Sequence, residues 1–328
     1  MQMRVRLVQM RVVAPLLLAL TVLLGVWGTP AASAAGSYPV TYRFADGIAA
    51  NAQDPGGSPP GANNWSCKPS SAHPRPVVLV HGLLATAQDN WYTMAPLLAN
   101  HGYCVFAITY GTNSGQPYNG GMLDMETSAL QMKAFVQHVL QATGARKVDL
   151  VGHSEGTVMP RYWMEFLGGA RYVAHYVMLT PIWHGTEFYG AATLSQLAYE
   201  YVPGYGPQSE SFWDSRCGSC PEFLTGSPFM QQLNSRGFAL PGVQYTDVMT
   251  RYDETVMPYT SGYVAAPNVT NFVLQDQCPL DLTDHATVAY DAVAAQDMLN
   301  ALDPMHAKPV PCVAVVPGYG TPVPPPGQ

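Results

Sequence analysis

Charge is scarce in this chain. Only 11% of its 328 residues are charged, and 15 Lys plus Arg stand against 22 Asp plus Glu, a formal net charge of −7. Nucleic acid is held by a basic surface, so it is excluded as a partner. The polar, aromatic-poor composition of a disordered chain is also missing, since 48% of residues are hydrophobic and 11% aromatic. The 30 Gly and 29 Pro follow no collagen-like period, and no internal repeat is visible. Beyond Val26 no apolar stretch approaches the ~20 consecutive residues that a membrane span needs. What remains is a chain able to build one large core.

The first residues read as an address. Arg4, Arg6 and Arg11 precede an apolar run from Ala14 to Val26, and Ala32 and Ala34 flank Ser33 in the small-residue pattern that a signal peptidase accepts. Residues 1–34 are therefore expected to be a cleaved signal peptide and 35–328 a secreted, soluble domain. Export changes the meaning of Cys67, Cys104, Cys217, Cys220, Cys278 and Cys312, an even set in an oxidising compartment. Chain order pairs Cys67 with Cys104, Cys217 with Cys220, and Cys278 with Cys312. A zinc site at Cys217-x-x-Cys220 is the rival reading, but it lacks a second ligand pair, and no metal is expected.

Short apolar runs alternate with helical patterns along most of the chain. Residues 35–75, broken by Asp54-Pro55-Gly56-Gly57 and Ser58-Pro59-Pro60-Gly61, read as an extended, loop-rich wrap. Strands are predicted at Val77–Val80, Tyr103–Ile108, Val148–Val151 and Tyr172–Leu179, with helices over 90–100, 124–143 and 156–167 between and after them. This rhythm is the signature of a parallel sheet with helices on both faces. Residues 183–241, rich in Trp, Tyr and Phe, read as a lid or cap insertion with a helix at 191–201. Strands resume at 243–249 and 268–274, followed by a helix over 284–301. The Pro/Gly-rich tail 317–328 is expected to be extended or disordered.

Chemistry concentrates at Gly152-His153-Ser154-Glu155-Gly156, which follows a predicted strand and opens a helix. G-x-S-x-G in that context forces Ser onto a sharp turn with its hydroxyl exposed. A seryl hydroxyl needs a base, itself oriented by a carboxylate. His153 is too close in sequence to serve and reads as structural. Of His184, His285 and His306, which follow the fourth predicted strand, His285 lies just past the last one and is taken as the base. Asp253, after the strand 243–249, is taken as the acid in preference to Glu254, Asp281 and Asp284. The backbone N–H groups of Glu155 and Leu83, the latter in the turn His81-Gly82-Leu83-Leu84, are the expected oxyanion donors.

These motifs, together with Arg251-Tyr252-Asp253-Glu254, Pro258-Tyr259 and Gln277-Cys278-Pro279, resemble those of secreted actinobacterial triacylglycerol lipases of the α/β-hydrolase superfamily, over about residues 76–302. The resemblance implies an α/β-hydrolase fold, a Ser154–Asp253–His285 triad, a lipid or other ester substrate, no cofactor, and a monomer that touches lipid interfaces only transiently. Two positions depart from the usual pattern: Thr157 stands where many relatives have Gly or Ala, and is expected to tilt the elbow, while Glu155 puts an acid beside the nucleophile. Trp183, His184, Phe212 and Trp213 are expected to line the substrate cleft. A cutinase or polyester hydrolase, a short-chain carboxylesterase, and a binding module on a silent hydrolase scaffold are the alternatives.

Overall fold

A computed structural model describes residues 37–113 and 118–325. The expected signal peptide lies outside the described residues. In chain order the elements are α1 (Phe44–Gln53), β1 (Val77–Val80), α2 (Ala87–Asn90), α3 (Met94–Asn100), β2 (Val105–Ile108), α4 (Met125–Thr143), β3 (Val148–His153), α5 (Met159–Phe166) and β4 (Val173–Leu179). They continue with α6 (Ala191–Tyr201), α7 (Tyr205–Asp214), α8 (Pro228–Asn234), β5 (Gln244–Met249), β6 (Val269–Val273), α9 (Leu274–Gln277) and α10 (Ala292–Leu302).

The six strands form one sheet in the order β2-β1-β3-β4-β5-β6, and every adjacent pair is parallel. β1, its edge neighbour β2 and β3 are buried on both faces, which is why their sequences are largely continuous apolar runs rather than alternations. Successive side chains still point to opposite faces. Val78, Val80 and Leu150 join α4, α5 and α8 in one core, whereas Val77, Leu79 and Val151 join α3 and α10 in the other. After β1 the chain runs outward to β2 and then returns to β3 on the opposite side of β1. This reversal opens a crevice at the carboxyl ends of β1 and β3, the place where open parallel sheets collect functional groups.

Three expectations need correction. Residues 35–75 are not uniformly extended, because 44–53 form α1, whose Gly47 is pressed against Tyr290 and Asp89. The insertion 183–241 is divided: α8 sends Phe229, Met230 and Leu233 into the core, while Ala192 is the buried residue of α6. The tail is anchored through residue 321. Gly320 bridges to Arg43, Phe44 N donates to Tyr319 O at 2.8 Å, and Ala292 N donates to the buried Thr321 Oγ1 at 3.0 Å.

All three expected disulfides are present, linking Cys67 to Cys104, Cys217 to Cys220, and Cys278 to Cys312. The last joins positions separated by 34 residues and ties the segment leading to the tail onto the end of α9. Constraining a loop of that length in the unfolded chain stabilises the fold by roughly 4 kcal/mol. Replacing both Cys278 and Cys312 by Ser is therefore expected to lower unfolding stability by about 3 to 4 kcal/mol. Urea denaturation without reductant measures it, and a loss below about 1 kcal/mol would contradict the chain-entropy estimate.

Candidate active site

Ser154 sits where β3 gives way to a 3-10 turn over Ser154–Thr157, with φ of 54°. That left-handed conformation is rare for a residue with a side chain and costs of order 1–3 kcal/mol. Its neighbours make it tolerable. A Cβ on Gly152 would lie 2.1 Å from Gly156 O, and one on Gly156 would lie 2.1 Å from Val80 O, so neither position admits a side chain. Thr157 braces the turn rather than tilting it: its hydroxyl donates to Ser154 O at 2.6 Å and accepts from Ile182 N at 3.1 Å.

His285 comes from the loop between α9 and α10, and its Nε2 lies 2.8 Å from Ser154 Oγ. Its Nδ1 lies 2.9 and 3.0 Å from the two carboxylate oxygens of Asp253. Nδ1 thus carries the proton, which leaves the Nε2 lone pair for the serine. Asp253 is itself fixed, since its Oδ1 accepts from Thr255 N at 2.9 Å and Val256 N at 2.7 Å. The rival acids have other work. Glu254 Oε2 accepts from the backbone of His285 at 3.1 Å, Asp284 caps Thr287 N at 2.7 Å, and Asp281 accepts from Thr283 N at 2.9 Å. His153 stays structural: its Nε2 is 2.9 Å from His285 O and its Nδ1 is 2.9 Å from Asn90 Oδ1.

The loop after β1 closes the other side. Gly82 approaches Ser154 so closely that a Cβ there would come within 3.0 Å of Ser154 Cβ. Leu83 borders Ser154 in the cleft, and Leu84, with φ of 64°, donates its N–H to Gly120 O at 2.9 Å. Glu155 is fully buried and turned away from the cleft toward Tyr110. Burial pushes its pKa to about 8, against the opposing hydrogen bonds from Ser219 and Tyr110. The neutral acid also resolves a conflict, because the single Tyr110 hydroxyl proton faces both His81 O at 2.9 Å and Glu155 Oε1 at 3.1 Å. A protonated Glu155 donates back to Tyr110 and leaves that proton for His81. No negative charge is therefore placed beside the nucleophile at neutral pH.

An apolar cavity of about 820 Å³ opens from Ser154 and His285 beneath α6 and α7, lined by Ile182, Phe188, Leu194, Trp213, Phe223 and Leu224 among others. Of the four side chains expected there, Trp213 lines it. Trp183 does not: it is buried in the core, where Nε1 donates to Asp247 at 2.8 Å and its ring meets Tyr245 and the Arg161 guanidinium. His184 packs on Phe238 with Nε2 3.1 Å from Tyr263 O, and Phe212 lies outside the lining, covered by Arg216. Among the described residues no group of three His, Cys, Asp or Glu is arranged to hold a metal ion.

A parallel sheet carrying a strained serine at its topological switch point is the architecture of the α/β-hydrolases. The fold is similar to that of Aspergillus fumigatus lipase B, with a TM-score of 0.57 and 17% identity over 77% of this chain and 57% of that one. The family described as Lipase (class 2) matches residues 74–297, and the chain belongs to it. Triacylglycerol lipases of Pseudarthrobacter phenanthrenivorans and Burkholderia plantarii are each 40% identical to it over 93 residues. That segment is 26% of this chain and only 27% and 24% of theirs, so the match spans about a quarter of the curated relatives.

Two titrations follow from this geometry. Burial alone lowers the His285 pKa, but Asp253, Glu254 and Asp284 together hold it above its ordinary 6.5. NMR titration of the imidazole is expected to show that elevation, and Asp253→Asn to lower the value; an unchanged value in the variant counts against the pairing. Glu155, raised from 4.5 to about 8, keeps its proton in the folded state where the unfolded chain loses it. Its contribution is full below pH 4.5 and declines until pH passes about 8. Glu155→Gln removes this decline, so its stability relative to the parent should rise between those pH values in urea denaturation. A pH-independent difference would contradict it.

Proposed function

We propose that the protein is a secreted lipase, a serine hydrolase that cleaves the carboxylic esters of acylglycerols through an acyl-enzyme. The single observation that carries this is the Ser154–His285–Asp253 relay opening directly onto a large apolar cavity. Ser154 Oγ attacks the ester carbonyl carbon while His285 Nε2 takes its proton. The carbonyl oxygen becomes an oxyanion, held by the backbone N–H groups of Leu83 and Glu155, each such donor lowering the barrier by roughly 3–4 kcal/mol. Collapse breaks the bond to the alcohol oxygen, which leaves with the proton from His285. Water, deprotonated by the same imidazole, then attacks the acyl-Ser154 carbonyl, and collapse breaks the bond to Ser154 Oγ, which regains the proton from His285 as the fatty acid leaves.

Substrate class rests on the cavity. Its volume lies within the range of sites that enclose drug-sized apolar ligands. α6 lines it with Leu194, and the exposed Leu197 and Tyr201, three and seven residues further on, continue that apolar face into solvent. An exposed apolar helix face continuous with the cavity suits contact with lipid and favours acylglycerols over polyester. Gly190 and Gly204, both with positive φ, flank α6 and allow sharp turns at its ends. Paired cysteines and the absence, among the described residues, of a helix long and apolar enough to cross a membrane are compatible with export.

Ser154→Ala is expected to reduce hydrolysis of tributyrin and triolein by about 10⁴-fold or more, with the far-ultraviolet circular dichroism of the parent retained. A fluorophosphonate should label the parent at Ser154 and leave the variant unlabelled. Parent-like turnover in the variant, or a parent that neither reacts nor hydrolyses glycerides, would overturn the reading.

A further inference from the structure

A second, smaller cavity of about 200 Å³ meets the first at the nucleophile. The two share Leu83, Leu84, Ser154 and His285, and then part. One runs beneath α6 and α7. The other runs toward α1, between Phe44, Ile48 and Tyr290, and Asp89 and Asn90 line only this one.

An ester bond divides its substrate into two halves, and a nucleophile at the junction of two chambers faces both. Size and polarity assign them. At roughly 30 Å³ per water-sized group, the smaller chamber holds about six or seven heavy atoms, the size of glycerol or a short alkanol. A long acyl chain exceeds it and fits the larger one. Asn90 Nδ2, a buried donor without a hydrogen-bond partner among the described residues, suits the half that carries hydroxyl groups.

The wall that limits this chamber is rigidly placed. Phe44 and Ile48 are one turn apart on the same face of α1, and Ile48 remains 46% exposed. A Cβ on Gly47 would lie 1.8 Å from Tyr290 Oη and 2.8 Å from Asp89 O, so α1 lies hard against the floor of the cleft. Asn51 Nδ2 donates to Asp89 Oδ2 at 2.9 Å, and Thr86 Oγ1 donates to Asn51 Oδ1 at 3.1 Å. The Phe44 ring stands edge-on to Tyr290 at 5.4 Å. Since α1 precedes the segment 74–297 that the family matches, this wall is supplied from outside the shared catalytic region.

We propose that the cavity beside α1 binds the alcohol half of the ester, and that Phe44 and Ile48 set the size of alcohol that can leave. This rests on the ester-hydrolase reading above. The test uses two substrate series: vinyl esters of C4 to C12 acids, whose leaving group is too short to reach α1, and butyrates of alcohols from methanol to octanol. The parent is expected to favour compact alcohols. In Ile48→Trp the ratio of kcat/KM for octyl over vinyl butyrate should fall roughly tenfold or more, and in Ile48→Ala it should rise, both with the optimal acyl length in the vinyl series fixed. Vinyl ester turnover with an unaltered octyl-to-vinyl ratio in both variants, or a shifted acyl optimum, would overturn the assignment while leaving the hydrolase intact. A parent inactive on every vinyl ester would instead remove the hydrolase reading, and the alcohol site with it.

Discussion

The left-handed backbone of Ser154 is the constraint from which the rest of the site follows. It turns the chain through a tight corner between β3 and the helix that continues into α5, and it holds the hydroxyl at the carboxyl end of the sheet. Such a corner exists only where the surrounding atoms leave no other choice. Gly152 and Gly156 supply the room, the Tyr176 hydroxyl donates to Gly156 O at 2.6 Å, and Thr157 ties back to Ser154 O. Because Gly156 also packs on Val80 O, the corner is pressed against β1. The loop that follows β1 is thereby delivered beside the hydroxyl.

Electrostatics around that corner are arranged by burial as much as by pairing. Asp253 is held by two backbone amides and faces the imidazole, whereas Glu155, next to Ser154 in sequence, is buried with Tyr110, and burial raises its pKa to about 8. Two carboxyl groups near one serine thus lie in opposite surroundings, one hydrogen-bonded by backbone amides and the other buried. His153 contributes differently, since its ring fixes the backbone carbonyl of His285 and so fixes where that imidazole can sit.

Much of this was legible in the sequence, for identifiable reasons. Strands buried on both faces must be short apolar runs, so Val77–Val80 and Val148–Val151 were readable, and the glycines around Ser154 declare a turn that no other residue permits. The roles expected of Asp253 and His285 rest on chain order and strand ends, and the structure brings His285 to Ser154 and Asp253 to His285. Aromatic residues in 183–241 were harder to sort. Trp183 and Trp213 have the same side chain, yet one pairs with Asp247 in the core and the other lines a cavity, a difference set by tertiary contacts alone. α1 is hidden in the sequence because the Pro and Gly that follow it dominate the composition of 35–75, while the helix itself packs against distant Tyr290.

One detail of the tail bears on how the molecule comes together. Arg43 and Gly320, near opposite ends of the described chain, are bridged, and the carbonyl of Tyr319 receives the amide of Phe44. Gly320, with φ of 103°, sits where a Cβ would strike Tyr42 O, so this clasp admits no side chain. A contact between such remote positions carries a large loop-closure entropy and belongs to the late stages of assembly. The sheet and its serine draw on the interior of the sequence, whereas the rim beside α1 is fastened by the remote segment 319–321. Loss of the segment around Tyr319 would therefore loosen the start of α1 first and leave the pairing of the six strands in place.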